Sequence, residues 1–407
     1  MGASIQWTTN NMRRSVETGY STELFGLSEI AKARNFHASF PQYQPTPLRS
    51  LKHLAKILGV GGIYVKDESY RFGLNAFKAL GGSYAIARLL AQRLHQDVAE
   101  MPYQVLTSDS VKQQLGEITF ATTTDGNHGR GVAWTARQLG QRAIIYMPKG
   151  SSLQRLENIR AEGAEAYITD LNYDDAVRMT AAKAKANGWL VVQDTAWEGY
   201  EEIPTWIMQG YGTMSAEALE QLNKIGIAKP THIFTQAGVG ALAGSVEGYF
   251  TAIFGQDRPK MAVVEADQAN CLLKSIQAGD GKPRAVGGEL TTIMAGLACG
   301  EPNIISWDIL RDYCEMFISC PDWVAAKGMR ILGSPLQGDP KVVSGESGAV
   351  TVGLLWNLLR DDGLQKAREA LGLNEQSQIL LFNTEGDTDP EAYLNIVWDG
   401  CFASAAR

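Results

Sequence analysis

Cysteine is scarce in this chain and badly placed for cross-linking. Its 407 residues include five, Cys271, Cys299, Cys314, Cys320 and Cys401, with no C-x-x-C spacing and no histidine close enough to complete a zinc site. A disulfide-stapled scaffold and a zinc module are excluded, and reduced thiols in a cytoplasm are expected, with Cys271 and Cys299 the one candidate pair for a bond. No uncharged apolar run approaches the length of a membrane span. The opening segment MGASIQWTTNNMRRSVETG has no apolar stretch of signal-peptide length, and Gln6 stands where a myristoylation signal places Ser or Thr. Neither secretion nor lipid anchoring is expected. A basic excess is missing too: 37 Lys plus Arg face 44 Asp plus Glu, a formal charge of -7, so nucleic acid and membrane are not expected partners. Proline-rich linkers, low-complexity tracts and repeats of solenoid period are absent.

What is present is ordinary globular composition, 45% hydrophobic and 20% charged, in a length that suits about two to three domains. From residue 118 onward, β-rich runs alternate with helical patterns: ITFATTT, GVAWTARQLG, RAIIYMP, SLQRLENIRAEG, AEAYITD, DDAVRMTAAKAKANG and LVVQD. Such alternation predicts right-handed βαβ units around parallel strands. A second series starts at HIFTQ, passes through QAGVGALAG into a helix reaching about Phe254, and continues with the strand MAVVEAD. The two series are separated by residues 199–230. An α/β protein of two open, mostly parallel-sheet domains follows. We place a large domain at 1–77 and 220–407, a small one at 78–219, and a ligand cleft between them. Upstream, GGIYVKDES reads as a strand and NAFKALGGSYAIARLLAQRLH as a helix whose apolar positions Phe77, Leu80, Tyr84, Ala87, Ala91 and Leu94 recur at helical spacing, with Lys78 in its first turn.

Four segments carry chemistry, three of them at strand C-terminal ends, where open α/β sheets bind ligands. In TTTDGNHG, glycines let the backbone approach a ligand and the following helix offers free N–H groups to an anion; a strand-to-helix turn that binds nothing has the same pattern. QAGVGALAG is the natural place for a phosphate, and its third glycine falls one residue late for a dinucleotide fingerprint. In NAFKALGG a lone lysine, Lys78, lies near the positive end of a helix dipole in apolar surroundings, which favours the free amine that Schiff-base chemistry needs. A surface lysine snorkelling from an apolar helix is the plain alternative. LLFNTEGDTD runs an apolar strand into Thr384, Glu385, Gly386, Asp387 and Thr388, or into an ordinary acidic turn.

Taken together these segments resemble the fold-type II pyridoxal-phosphate enzymes, relatives of threonine dehydratase and tryptophan synthase β, over most of the chain. The resemblance implies that Lys78, after Asn75-Ala76-Phe77, carries the cofactor. It implies that the loop Asp125-Gly126-Asn127-His128 holds the substrate carboxylate and the cofactor's 3′-oxygen, and that Gly238-Val239-Gly240-Ala241 cradles the phosphate. Most relatives have a small hydroxyl residue where this chain has Asp125. With KDESYRFGLNAFKALGGSYA, TTTDGNHGRGVAW and QDTAWEGYEEIP, that departure is similar to the diaminopropionate ammonia-lyases within the family. The implied reaction is α,β-elimination from D- and L-2,3-diaminopropionate, with Lys78 and Asp125 as bases on opposite faces. Asp194 then binds the β-ammonium, or is a helix-capping aspartate; Trp197, Glu198 and Tyr200 line the pocket or pack the core. Thr384, with Thr388 as second choice, faces the pyridine nitrogen, and Glu346 in SGESGA lies near the ring. A homodimer is implied as well. A serine or threonine dehydratase or other β-eliminating or β-replacing enzyme is the nearest alternative. A non-catalytic module holding pyridoxal phosphate or a nucleotide is the alternative of another class.

Overall fold

The computed structural model describes residues 4–124 and 126–403, so Asp125 lies outside the described residues. Among the described residues the strands are β1 (Gln6–Thr9), β2 (Leu48–Ser50), β3 (Gly62–Asp67), β4 (Thr119–Thr123), β5 (Arg142–Met147), β6 (Glu165–Ile168), β7 (Leu190–Val191), β8 (His232–Gln236), β9 (Lys260–Ala266), β10 (Met316–Cys320) and β11 (Gln378–Asn383). They form two sheets, each within its own compact unit.

The first unit comprises residues 1–23, 46–70 and 214–407. Its seven-stranded sheet has the order β1-β10-β9-β8-β11-β3-β2. The inner pairs are parallel, with Phe234 opposite Ala262 and Leu381 opposite Phe234, and only the edge strands β1 and β2 run antiparallel. Strands β3, β8 and β10 are buried at every position, including the polar Lys66 and Asp67 of β3 and His232, Thr235 and Gln236 of β8, as strands inside a parallel sheet are. Their side chains join those of helices Asp322–Gly333 and Glu346–Arg360 in one core that includes Ile63, Val65, Phe234, Val264, Ile318, Val350 and Leu381.

The second unit comprises 24–45 and 71–213. Its four strands, in the order β6-β5-β4-β7, are all parallel. Segments 24–45 and 71–77 therefore group with the smaller sheet and 214–219 with the larger, a division that differs from the sequence-based one. Helical periodicity is blind to it, because the cut at Thr213 falls inside the continuous helix Glu202–Lys224. The helix expected from Asn75 begins at Ala79 instead and ends at Arg93. Asn75 adopts a left-handed φ of 60° that no helix can absorb, which leaves Lys78 at the N-cap and not within the first turn. The backbone of Lys78 and Ala79 is seated against helix Asn127–Gln138. A Cβ added at Gly131 of that helix would lie 2.9 Å from the Ala79 amide nitrogen, so only glycine admits the approach.

Candidate active site

Within the second unit the residues around Lys78 form a buried network of charge. Lys78 follows Phe77, whose ring packs on Tyr211, and its Nζ lies 5.5 Å from the Phe77 ring centre and 5.8 Å from that of Tyr211. That amine donates to Asp194 Oδ2 in an ion pair in which Asp194 is buried and Lys78 is partly so. Burial by itself would raise the Asp194 carboxyl, but the Lys78 ammonium against it outweighs burial and holds the group at about 2. The other oxygen, Oδ1, accepts from the Tyr173 hydroxyl and from Gln193 Nε2, each at 3.5 Å. Gln193 is itself fixed: its Oε1 accepts from Thr122 Oγ1 and from the Thr123 amide, both at 2.9 Å, and its Nε2 donates to Tyr173 at 2.9 Å. Tyr173 opens the helix Tyr173–Asn187, so two elements of the unit converge on one carboxylate.

His128 is the second residue of helix Asn127–Gln138 and is 1% exposed. Its Nε2 lies 2.7 Å from the carbonyl of Val192, an acceptor only, so this nitrogen carries the proton. Its Nδ1 is then a lone pair, 3.9 Å from Asp194 Oδ2, with no hydrogen-bond partner among the described residues. Burial depresses the imidazole below its ordinary value, with Asp194 opposing that shift and Lys78 adding to it, so the ring is neutral. Ahead of this helix Gly126 is the N-cap, and the Thr124 hydroxyl accepts from the amides of Gly126 at 2.9 Å and Gly129 at 3.0 Å. The Tyr200 hydroxyl accepts from the Gln193 amide at 2.8 Å and donates to Val191 O at 3.0 Å. Both contacts are to backbone, which gives Tyr200 a supporting position under Asp194; its ring stacks on Trp197. Thr124, Tyr173 and Gln193 were not singled out from sequence. Gln193 is chemically unremarkable beside Asp194, and Tyr173 lies in a helix with no motif of its own.

Within the first unit the corresponding residues form a neutral frame. Strand β8 ends at Gln236, the turn Gly238-Val239-Gly240 follows, and helix Ala241–Phe254 starts with no side chain capping its amides. Gly240 has a φ of +100°, which only glycine adopts without strain. The carbonyl of Val239 accepts from the Asn303 amide at 2.7 Å, and the buried Nδ2 of Asn303 has no acceptor among the described residues. Uncapped helix amides and an orphaned amide donor are what an anion satisfies. Thr384, just beyond β11 and 4% exposed, accepts from Gln236 Nε2 at 2.8 Å, so its own hydroxyl proton is available to an acceptor such as a pyridine nitrogen. Thr388 differs, since its hydroxyl is directed to Glu385 Oε2 at 3.5 Å. The SGESGA segment lies beside this turn, with the Gly345 amide donating to Glu385 O, and Glu346 begins helix Glu346–Arg360. The five cysteines form no disulfide in the structure, and Cys271 and Cys299 flank Gly238. Among the described residues no cluster of potential ligands could hold a metal ion, and no helix is long and apolar enough to cross a membrane.

Residues 40–374 match the family described as pyridoxal-phosphate dependent enzyme. The chain belongs to that family. Among curated members it is 52% identical over 397 residues to a diaminopropionate ammonia-lyase of Salmonella typhimurium, covering 97% of this chain and 98% of that one. The structure superposes on that of the Escherichia coli diaminopropionate ammonia lyase in complex with an aminoacrylate-PLP azomethine reaction intermediate, with a TM-score of 0.90, 49% identity and 99% of each chain covered. The same Escherichia coli protein in complex with D-serine gives a TM-score of 0.92, again at 49% identity and 99% coverage of both chains. The two mostly parallel sheets are thus those of a fold-type II pyridoxal-phosphate enzyme, as the sequence motifs led us to expect.

Proposed function

We propose that this protein catalyses the pyridoxal-phosphate dependent α,β-elimination of D- and L-2,3-diaminopropionate to pyruvate and two ammonia. The observation that carries the substrate assignment is the buried Asp194 carboxylate, ionised and already holding one ammonium, that of Lys78. A diamine supplies a second ammonium for such an anion, whereas a hydroxyl leaving group gains little from it. The residues present fit the cofactor. Lys78 would hold it covalently, Gly238, Val239, Gly240 and Ala241 its phosphate, Asn127 its 3′-oxygen, and Thr384 its pyridine nitrogen. When bound, the cofactor supplies the delocalisation that makes the substrate α-proton removable.

The chain's own residues do the rest. Lys78 takes the α-proton of the L form and Asp125 that of the D form, a carboxylate and an amine on opposite faces. Gly126 and His128 belong to the loop that receives the substrate, and Asp194 keeps the β-nitrogen charged, in which state it departs without further protonation. A neutral Thr384 leaves the pyridine nitrogen unprotonated, a weaker electron sink that suffices for elimination. We further read the enzyme as a homodimer of cytoplasmic amino-acid catabolism, in keeping with cysteines that form no disulfide.

The test is pyruvate and ammonia release from both diaminopropionate enantiomers, with serine and threonine alongside. Two ammonia per pyruvate from each diamine is expected, and faster turnover of serine than of either diamine would overturn the substrate assignment. No pyruvate from any of the four would leave a binding module. In Asp125→Asn, elimination from the D form should fall by about 10² to 10⁴, the usual worth of a positioned base, with the L form much less affected. Equal losses for both enantiomers would remove the two-base scheme.

A further inference from the structure

Among the buried polar atoms with no hydrogen-bond partner among the described residues, the Nδ1 lone pair of His128 is the one beside the Lys78–Asp194 pair. The tautomer is dictated by Val192 O, so Nδ1 cannot donate, and a buried acceptor left unmatched is destabilising until something donates to it. It is 3.9 Å from Asp194 Oδ2, the oxygen that receives the Lys78 amine. A nitrogen about 2.8 Å from each of these acceptors would see them roughly 90° apart, an angle that two hydrogens of one ammonium can serve.

We propose that His128 Nδ1 and Asp194 Oδ2 form a two-point seat for the substrate's departing ammonium, and that this pair of acceptors selects an amine over a hydroxyl leaving group. The proposal rests on the reading of this chain as a diaminopropionate eliminase and adds a specificity-determining residue to it. An ammonium has hydrogens for both acceptors. A hydroxyl has one and leaves the other acceptor unmatched, the kind of mismatch by which a polar site rejects an analogue. Neither partner is an acid on this side: the carboxylate is ionised and the ring is neutral with its proton committed to Val192 O. A hydroxyl, which must be protonated to leave, therefore gets no help from the seat, while an ammonium needs none.

The test is His128→Gln in the holoenzyme. The glutamine amide can still donate toward Val192 O but presents no acceptor at the Nδ1 position. Relative to wild type, kcat/KM for diaminopropionate should fall about 10- to 100-fold, the size of a hydrogen bond to a charged group, while that for serine changes far less, so that the ratio of the two collapses. Equal losses on both substrates would overturn the seat and leave the functional reading intact. Absence of pyruvate from diaminopropionate in the wild type would overturn the functional reading and the seat together. Should the variant not fold, ¹⁵N-histidine spectra of the wild-type holoenzyme decide the matter. Ethylenediamine should shift the unprotonated Nδ1 resonance of His128 and ethylene glycol, which carries hydroxyls and no ammonium, should not. An Nδ1 signal indifferent to saturating ethylenediamine, or one moved equally by both, would refute the proposal.

Discussion

Asp194 and Glu265 are both carboxylates shut away from water, one in each compact unit, and they end in opposite protonation states. Asp194 has a cation against it and is held at about 2. Glu265, on β9, has no cation among the groups that perturb it. It accepts from the amides of Leu272 at 2.8 Å and Leu273 at 2.7 Å, and burial outweighs them, pushing the group up to about 8. Equal burial therefore does not decide charge; a neighbouring ammonium does. The same contrast separates the two sets of site residues. Those of the second unit bring an ammonium, a carboxylate and a neutral imidazole together at Lys78, Asp194 and His128. Those of the first present backbone amides and a hydroxyl in fixed positions.

The largest expected effect comes from abolishing the ion pair at its cationic end. Lys78→Ala should lower elimination by several orders of magnitude, because the covalent anchor and one base vanish together, and borohydride should no longer fix the cofactor to the chain. Cofactor still fixed by borohydride would point to another lysine. A smaller effect is expected on the neutral side. Gly240→Asp puts a side chain on a backbone at φ +100° and a negative charge at uncapped amides. Retention of pyridoxal phosphate on dialysis should drop by roughly tenfold or more, given that each charge at a helix N-terminus has an energy of up to about 2 kcal/mol. Unchanged retention would move the phosphate site elsewhere.

The smallest effect tests the carboxylate comparison itself. The folded Glu265 lies above its unfolded value of 4.5, so between 4.5 and about 8 the folded state binds the extra proton. Stability must then decline as pH rises through that window, by an amount on the order of a few kcal/mol, and Glu265→Gln should flatten the decline in thermal melts between pH 5 and 9. Asp194 carries the opposite sign: its contribution is present above its ordinary value of 3.8 and is lost as pH falls toward about 2. Parallel melting profiles for wild type and Glu265→Gln would show that this carboxyl is ionised in the fold.

Much of this arrangement was legible in the residues. Strand and helix alternation announced two parallel sheets, since the spacing of apolar residues follows directly from what each face must bury. The glycine-rich turn and Lys78 stood out for a related reason: glycine at a strand-to-helix turn and a lone cation among apolar neighbours are local anomalies. The start of the Lys78 helix was misplaced by the same reasoning, as apolar spacing carries no sign of the left-handed Asn75. Tyr173 was invisible because nothing within its own helix distinguishes it; its meaning is the Asp194 oxygen 21 residues away.

The sequence by itself thus determined the class of fold and the family chemistry, because these depend on residue type and short-range pattern. Only the tertiary structure decided that Thr384 has a proton to offer while Thr388 has directed its own to Glu385, and that Tyr200 supports backbone. It also decided that His128 keeps its lone pair toward Asp194. These are matters of which hydrogen-bond partner is near, and partners come from strands and helices that only the folded chain brings together.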